Sequence, residues 1–195
     1  MNIDGADLNL GTFIALTAGF ILLFGAAHRE WGAVALATLA FVAPFAVMNG
    51  RPKTIYFGDS GSFAFAGLLT TMAVAFFRDY GSLPPEAAIP AALPAFDVFF
   101  VFTIRLRERH DLLTRNYLHL YQRLSRRFDG FGYLVPQVAN ALLCLGGAMA
   151  LQWAGLGRIL SVILAILLLT VPFYFACRIL LLGGPPEGPL HEAER

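Results

Sequence analysis

Six long apolar runs constrain the fold of this chain more than any other feature of its sequence. They span residues 12–27, 31–48, 63–77, 87–104, 133–154 and 159–182. A helix needs about 20 apolar residues to cross the ~30 Å hydrocarbon core of a bilayer. Apolar runs without period-2 alternation satisfy their backbone hydrogen bonds in lipid as helices. The sequence therefore predicts an all-α, polytopic transmembrane helix bundle with about six transmembrane helices.

Prolines inside these runs predict where the helices bend. Four of the runs contain them, at Pro44, Pro90, Pro94, Pro136 and Pro172. A proline within a helix removes one backbone hydrogen bond and clashes with the preceding turn. The Pro90/Pro94 pair is the strongest candidate for a break, so one helix is expected to be proline-broken.

The composition excludes several classes of protein. Of the 195 residues, 57% are hydrophobic and 14% are charged, whereas soluble domains carry about 25% charged residues. A soluble globular enzyme, a disordered chain and a nucleic-acid binder with a broad basic surface are excluded. Cys144 and Cys177 lie inside apolar runs and are expected to pack there, not to form a disulfide framework or a zinc site. We expect a membrane domain at 1–182 and a disordered tail at 183–195, which is rich in Gly, Pro and Glu.

Positive charges are distributed unevenly over the loops. Seven of the fourteen Lys and Arg lie at 105–132, and Arg51 and Lys53 lie in the loop at 49–62. Cytoplasmic loops of membrane proteins carry the excess of Lys and Arg. We therefore expect residues 1–11 and both of these loops on the cytoplasmic face.

The loop at 49–62 ends in a motif that suits phosphate chemistry. Gly58-Asp59-Ser60-Gly61 comes directly before the third apolar run. The glycines allow a sharp turn, and the free N–H groups at a helix N-terminus attract anions such as phosphate. A carboxylate at this position suits a divalent cation that bridges phosphate oxygens. Asp59 is either such a metal ligand or the cap of a tight turn, and the pattern alone leaves both open.

A second polar cluster lies in the basic loop at 105–132. Helical spacing puts His119, Gln122 and Arg123 on one face and Leu120 and Leu124 on another. His and Arg on such a helix at the membrane surface would donate charge-assisted hydrogen bonds to phosphate. The alternative is an interfacial amphipathic helix whose arginines set topology and contact anionic lipid.

Three further carboxylates are candidates for the same site. Asp97 lies three residues after Pro94 in the fourth run, and ionisable groups at such a depth are functional candidates. It either supports the neighbouring loop or metal site or takes part directly. Asp4 and Asp7 lie one helical turn apart and either join Asp59 around a ligand or form an exposed pair.

In this order along the chain, the elements resemble the polyprenyl-phosphate N-acetylhexosamine-1-phosphate transferase family (glycosyltransferase family 4), in its O-antigen-initiating branch. The matching elements are Asp4-Gly5-Ala6-Asp7, Phe57-Gly58-Asp59-Ser60-Gly61-Ser62, Leu93-Pro94-Ala95-Phe96-Asp97 and His119-Leu120-Tyr121-Gln122-Arg123-Leu124. Members of the family carry further transmembrane helices and an Asp-Asp pair ahead of these elements. The resemblance therefore implies the C-terminal portion of the family fold, apparently without its N-terminal half, and a separately encoded N-terminal half as a partner.

The resemblance also implies a reaction. The phosphate of undecaprenyl (polyprenyl) phosphate attacks the β-phosphate of a UDP-N-acetylhexosamine, UMP leaves, and a lipid-linked sugar diphosphate forms. This is the first step of O-antigen (lipopolysaccharide) and cell-envelope glycan synthesis. The expected protein is a phosphoglycosyl transferase that depends on Mg²⁺, or on Mn²⁺, in the bacterial inner membrane, with a cytoplasmic active face and a homodimeric assembly.

Carried over by position, the resemblance assigns roles to eight residues. Asp59 ligates Mg²⁺ and is catalytic together with His119, while the substrate-binding residues are Asp4, Asp7, Lys53, Tyr121, Gln122 and Arg123. Two other functions remain to be compared with this one. A truncated or degenerate, non-catalytic membrane protein that binds anionic lipid is the alternative. A small transporter is disfavoured, because the ionisable groups collect at one face and not along a midplane pathway.

Overall fold

The computed structural model describes residues 14–20, 29–50, 64, 67–68, 71, 74, 85–108, 118–128 and 133–183. These residues form helices and the turns between them, and no strand is present in these ranges. Three of the described helices are long and apolar enough to cross a membrane: Pro85–Arg107, Leu134–Trp153 and Arg158–Leu181. The prediction of an all-α membrane bundle is confirmed.

Five helices have defined bounds. They are α1 (Arg29–Gly50), α2 (Ile89–Arg107), α3 (Leu120–Arg127), α4 (Leu134–Trp153) and α5 (Arg158–Leu181). Helices α1, α2, α4 and α5 coincide with the second, fourth, fifth and sixth apolar runs, whereas α3 lies in the basic loop. The first run is helical at 14–20 and the third at 64, 67–68, 71 and 74, and their remaining residues lie outside the described part of the chain.

The prolines alter helix geometry in two places. A 3₁₀ turn at Pro85–Ala88 precedes α2, and Pro90 occupies the first turn of that helix, where a missing N–H costs nothing. Pro94 lies inside α2, which continues to Arg107, so the break predicted at the Pro90/Pro94 pair is not present in this helix. In α5, a π-helical segment at Ile166–Thr170 comes directly before the turn that contains Pro172. The wider π turn relieves the clash between the proline ring and the preceding carbonyl.

Helices α4 and α5 pack through small side chains. Ala141, Cys144 and Ala148 of α4 form one buried cluster with Val162 and Ala165 of α5. Lipid tails are as apolar as leucine, so helices in a membrane associate through close packing of small residues and through hydrogen bonds. Both cysteines are free and buried, as the sequence predicts. The large apolar side chains on the outer faces of these helices remain exposed, which suits contact with lipid.

One end of the bundle is closed by an ion pair between the buried Glu86 and the exposed Arg158. Arg158 donates from Nε and Nη2 to the two carboxylate oxygens of Glu86, at 2.8 and 2.9 Å. This bidentate contact joins the start of α5 to the turn before α2, so these two helices run in the same direction. The short turn at 154–157 makes α4 antiparallel to both. The opposite end of the bundle therefore holds the end of α2, the end of α5, the start of α4 and all of α3.

The neighbouring glycines of α4 test the packing of α4 on α5. A Cβ at Gly147 would meet Leu169 Cδ1 at 2.5 Å, whereas a Cβ at Gly146 would meet nothing within 4 Å. We expect Gly147→Leu to lower the free energy of unfolding by about 1–3 kcal/mol through overpacking, and Gly146→Leu to leave it nearly unchanged. Thermal unfolding of both variants in detergent micelles measures the difference. Equal losses in the two variants would contradict this packing.

Candidate functional site

The carboxylate of Asp97 lies at the end of the bundle opposite the Glu86–Arg158 ion pair. Asp97 is only 2% exposed. Its Oδ2 lies 3.0 Å from Nδ1 of His119, and its Oδ1 accepts the Leu120 N–H at 2.9 Å and the Tyr174 hydroxyl at 2.7 Å. Nη2 of Arg178 is 3.9 Å from Oδ1. A buried charge is tolerated only when it is paired and hydrogen-bonded, and these partners meet that condition. Asp97, His119, Tyr174 and Arg178 are called the Asp97 network below.

The network positions α3 against the membrane bundle. His119 is the N-cap residue of α3, with extended backbone angles, but its side chain makes no capping bond. Asp97 of α2 accepts the Leu120 N–H in its place and sets a negative charge at the positive end of the helix dipole. Leu120 and Leu124 are fully buried in a cluster with Tyr174. The predicted helix with these two leucines on its packed face is confirmed.

Arg178 connects α5 to the start of α3. Its Nε donates to the Tyr174 hydroxyl at 2.9 Å and its Nη2 donates to the Leu118 carbonyl. The guanidinium also stacks over the Phe100 ring, at 4.6 Å from the ring centroid. Tyr174 therefore accepts from Arg178 and donates to Asp97, and hydrogen bonds in such a chain strengthen one another.

Polar atoms beside the network lack partners. Gln122 Oε1, Arg123 Nη1 and Arg178 Nη1 are buried and have no hydrogen-bond partner among the described residues. Burial, and then the positive charge of Arg178, lower the pKa of the Arg123 guanidinium. The guanidinium groups of Arg123 and Arg178 repel each other, and each has an unused N–H donor. This region therefore favours a negatively charged hydrogen-bond acceptor.

His119 lies at the edge of this region. Its imidazole side chain is 22% exposed and stacks on the Tyr121 ring with centroids 5.4 Å apart. The structure thus brings His119, Tyr121, Gln122 and Arg123 together on one short helix, next to Asp97. The imidazole of His119 and the unused N–H of Arg123, four residues apart, can together bind a phosphate group.

An apolar groove opens beside the same end of the bundle. It has a volume of about 570 Å³ and runs between α4 and α5 from Phe128, directly after α3. Its walls include Val135, Ala139, Phe173 and Leu180. A groove with these walls accepts a hydrocarbon chain, and its neighbour α3 carries the cationic side chain of Arg123.

The other predicted site residues lie outside the described part of the chain. These are Asp4, Asp7, Lys53 and Asp59, so their roles stay predictions, as does the Mg²⁺ ligand at Asp59. Within the described ranges, no group of three His, Cys, Asp or Glu side chains is placed to hold a metal. Both oxygens of Asp97 and both oxygens of Glu86 are engaged by protein donors.

Sequence reasoning did not single out Tyr174, Arg178, Tyr133 or Gln137. A signal for Arg178 was present, because a lone cation within an apolar run must find a buried partner. Gln137 is 1% exposed and neither of its amide atoms has a hydrogen-bond partner in the described ranges. Burial raises the pKa of the Tyr133 hydroxyl well above its ordinary value, so this group stays neutral.

Comparison with models of known families, with curated proteins and with solved structures finds no match for this chain. The fold and the site define a class nonetheless. The chain is a membrane-associated helical protein with a buried Asp-His-Tyr-Arg network at one end of its bundle. The resemblance to the N-acetylhexosamine-1-phosphate transferase family therefore rests on the four sequence elements alone.

Two buried tyrosines test the network. Tyr174→Phe removes a donor to Asp97 and an acceptor for Arg178, so we expect it to lower the free energy of unfolding by about 1.5–3 kcal/mol. Tyr133→Phe is the matched control, because the Tyr133 hydroxyl is buried without a partner in the described ranges, and its loss is expected to be neutral or stabilising. Thermal unfolding in micelles measures both. A Tyr133→Phe loss as large as that of Tyr174→Phe would argue against the network.

Proposed function

We propose that this chain transfers N-acetylhexosamine-1-phosphate from a UDP-sugar to polyprenyl phosphate, with release of UMP, and that α3 binds the phosphates. The observation that carries the proposal is the anchoring of His119. Asp97 holds Nδ1 of this imidazole at 3.0 Å, which leaves Nε2 for a substrate. The unused N–H donor of Arg123 lies on the next turn of the same helix.

Unsatisfied buried donors support an anionic ligand. A buried N–H without an acceptor costs about 1–3 kcal/mol, and more on a charged group. Arg123 Nη1 and Arg178 Nη1 both bear this cost in the described ranges. Phosphate oxygens accept charge-assisted hydrogen bonds from guanidinium groups, so a bound phosphate would satisfy Arg123 and offset the positive charge of Arg178.

The apolar groove supports a lipid as the second substrate. Its start at Phe128 lies directly after α3, so a phosphate at α3 and a hydrocarbon chain in the groove belong to one elongated molecule. This arrangement suits polyprenyl phosphate, whose charged group and chain need different surroundings. The basic loop at 105–132 favours a cytoplasmic active face, and we propose the bacterial inner membrane as the location.

The protein forms no covalent bond to the substrates in the proposed transfer reaction. An oxygen of the lipid phosphate attacks the β-phosphorus, the bond from that phosphorus to the bridging oxygen breaks, and UMP leaves with the electron pair. Such transfer depends on positioning and charge neutralisation. When bound at Asp59, Mg²⁺ would neutralise charge on the diphosphate. His119 and Arg123 hold the phosphates in place by donating hydrogen bonds.

The amphipathic form of α3 favours one other function. Leu120 and Leu124 are buried while α3 as a whole is rich in Arg, and a helix of this kind also attracts anionic headgroups without any catalysis. A non-catalytic, lipid-binding membrane protein is therefore the second candidate. Activity measurements separate the two.

The proposal is tested by UMP release from membranes that contain this chain together with the N-terminal half of a family member. The assay contains a UDP-N-acetylhexosamine, polyprenyl phosphate and Mg²⁺. We expect His119→Gln and Arg123→Gln each to lower kcat/KM about a hundredfold, as the loss of one preorganised donor does. Arg107→Gln is the control, because this exposed arginine on α2 lies outside the site, and it should retain activity.

Two results would contradict the proposal. One is the absence of UMP release from the completed protein. The other is unchanged activity in both α3 variants. In either case, binding of the purified chain to vesicles that contain anionic lipid, with loss of binding in Arg123→Gln, would favour the lipid-binding function.

A further inference from the structure

Arg178 determines which group donates and which accepts in each hydrogen bond of the Asp97 network. Arg178 has no acceptor atom, so its Nε–H donates to the Tyr174 oxygen. The single hydroxyl hydrogen of Tyr174 is then free to point only at Asp97 Oδ1, at 2.7 Å. The Leu120 N–H donates to the same oxygen. Oδ1 therefore receives two donors and faces the Arg178 cation at 3.9 Å.

In its ordinary ionised form, the Asp97 carboxylate has acceptors only. Oδ2, the second oxygen of Asp97, faces Nδ1 of His119 at 3.0 Å. Since a carboxylate cannot donate, Nδ1 must carry the proton. The Nε2 atom then points away from Asp97, and it holds either a lone pair or the second proton of an imidazolium ion. The Tyr121 ring, stacked on the imidazole, prevents the ring from turning freely.

We propose that Asp97 is a positioning residue that fixes the proton of His119 on Nδ1 and presents Nε2 to the substrate phosphate. Tyr174 and Arg178 of α5 set the direction of this chain of hydrogen bonds. A carboxylate on Nδ1 also stabilises the imidazolium ion that donates from Nε2 to a phosphate. The effect on activity rests on the proposed transfer reaction, whereas the position of the proton does not.

Replacement of Asp97 by Asn inverts the arrangement. The Asn carbonyl oxygen must face the two donors Leu120 N–H and Tyr174 O–H, so the amide NH₂ faces His119 Nδ1. An NH₂ group donates, so Nδ1 becomes the acceptor and the proton moves to Nε2. Asp97→Asn therefore keeps the shape of the site and changes the tautomer.

Nitrogen NMR of ¹⁵N-histidine-labelled protein in micelles measures the tautomer directly. The chain has four histidines, and the His119 signals are those lost in His119→Gln. With the imidazole neutral, we expect the proton on Nδ1 in the wild-type chain and on Nε2 in Asp97→Asn. Glu86→Gln is the matched control, since it breaks the Glu86–Arg158 ion pair at the other end of the bundle, and it should leave His119 unchanged.

Two outcomes would overturn the proposal: a wild-type His119 with its neutral proton on Nε2, or an Asp97→Asn variant with the wild-type tautomer. In the UMP-release assay we expect Asp97→Asn to lower kcat, because an amide in place of the carboxylate no longer stabilises the imidazolium ion that donates from Nε2. We expect the double variant to be no worse than His119→Gln alone. Additive losses in the double variant would contradict a role through His119. If no variant releases UMP, the transfer reaction fails, and the tautomer still decides the role of Asp97.

Discussion

The burial of one carboxylate, Asp97, governs the arrangement of this end of the molecule. A lone carboxylate at such a depth would be too costly to keep charged, so the chain must bring donors to it. The donors are Tyr174 of α5 and, from the basic loop, His119 and Leu120. Arg178 of α5 adds a positive charge 3.9 Å from the carboxylate. The carboxylate thereby holds α3 against the bundle and determines the position of His119.

The two ends of the bundle use charged groups in different ways. At one end, the buried Glu86 is paired through both carboxylate oxygens with Arg158, so this pair has a structural role. At the other end, Asp97 is hydrogen-bonded as well, but Arg123 and Arg178 each retain a buried N–H without a partner in the described ranges. An excess of positive donors beside a half-buried histidine favours the binding of an anion. This contrast locates the candidate site at the α3 end.

Much of the fold could be predicted because the bilayer imposes a length. Apolar runs near 20 residues have few alternatives to membrane helices, and α1, α2, α4 and α5 follow the runs closely. The amphipathic spacing of Leu120 and Leu124 likewise predicted the packed face of α3. The partners of Asp97 could not be predicted, since Tyr174 lies 77 residues away in the chain and only the packing of α5 on α2 brings it near. The π turn before Pro172 could not be predicted either, because helix periodicity alone does not reveal where a turn widens.

The central claim is that His119, held by Asp97, meets the phosphates of a sugar nucleotide. Its most direct test is the ¹⁵N spectrum of His119 during titration with UDP-N-acetylhexosamine. The account predicts a shift of Nε2 on binding, toward the protonated form, while Nδ1 keeps its proton and its bond to Asp97. Binding of the nucleotide sugar with no change at His119, or with a change at Nδ1 alone, would contradict it.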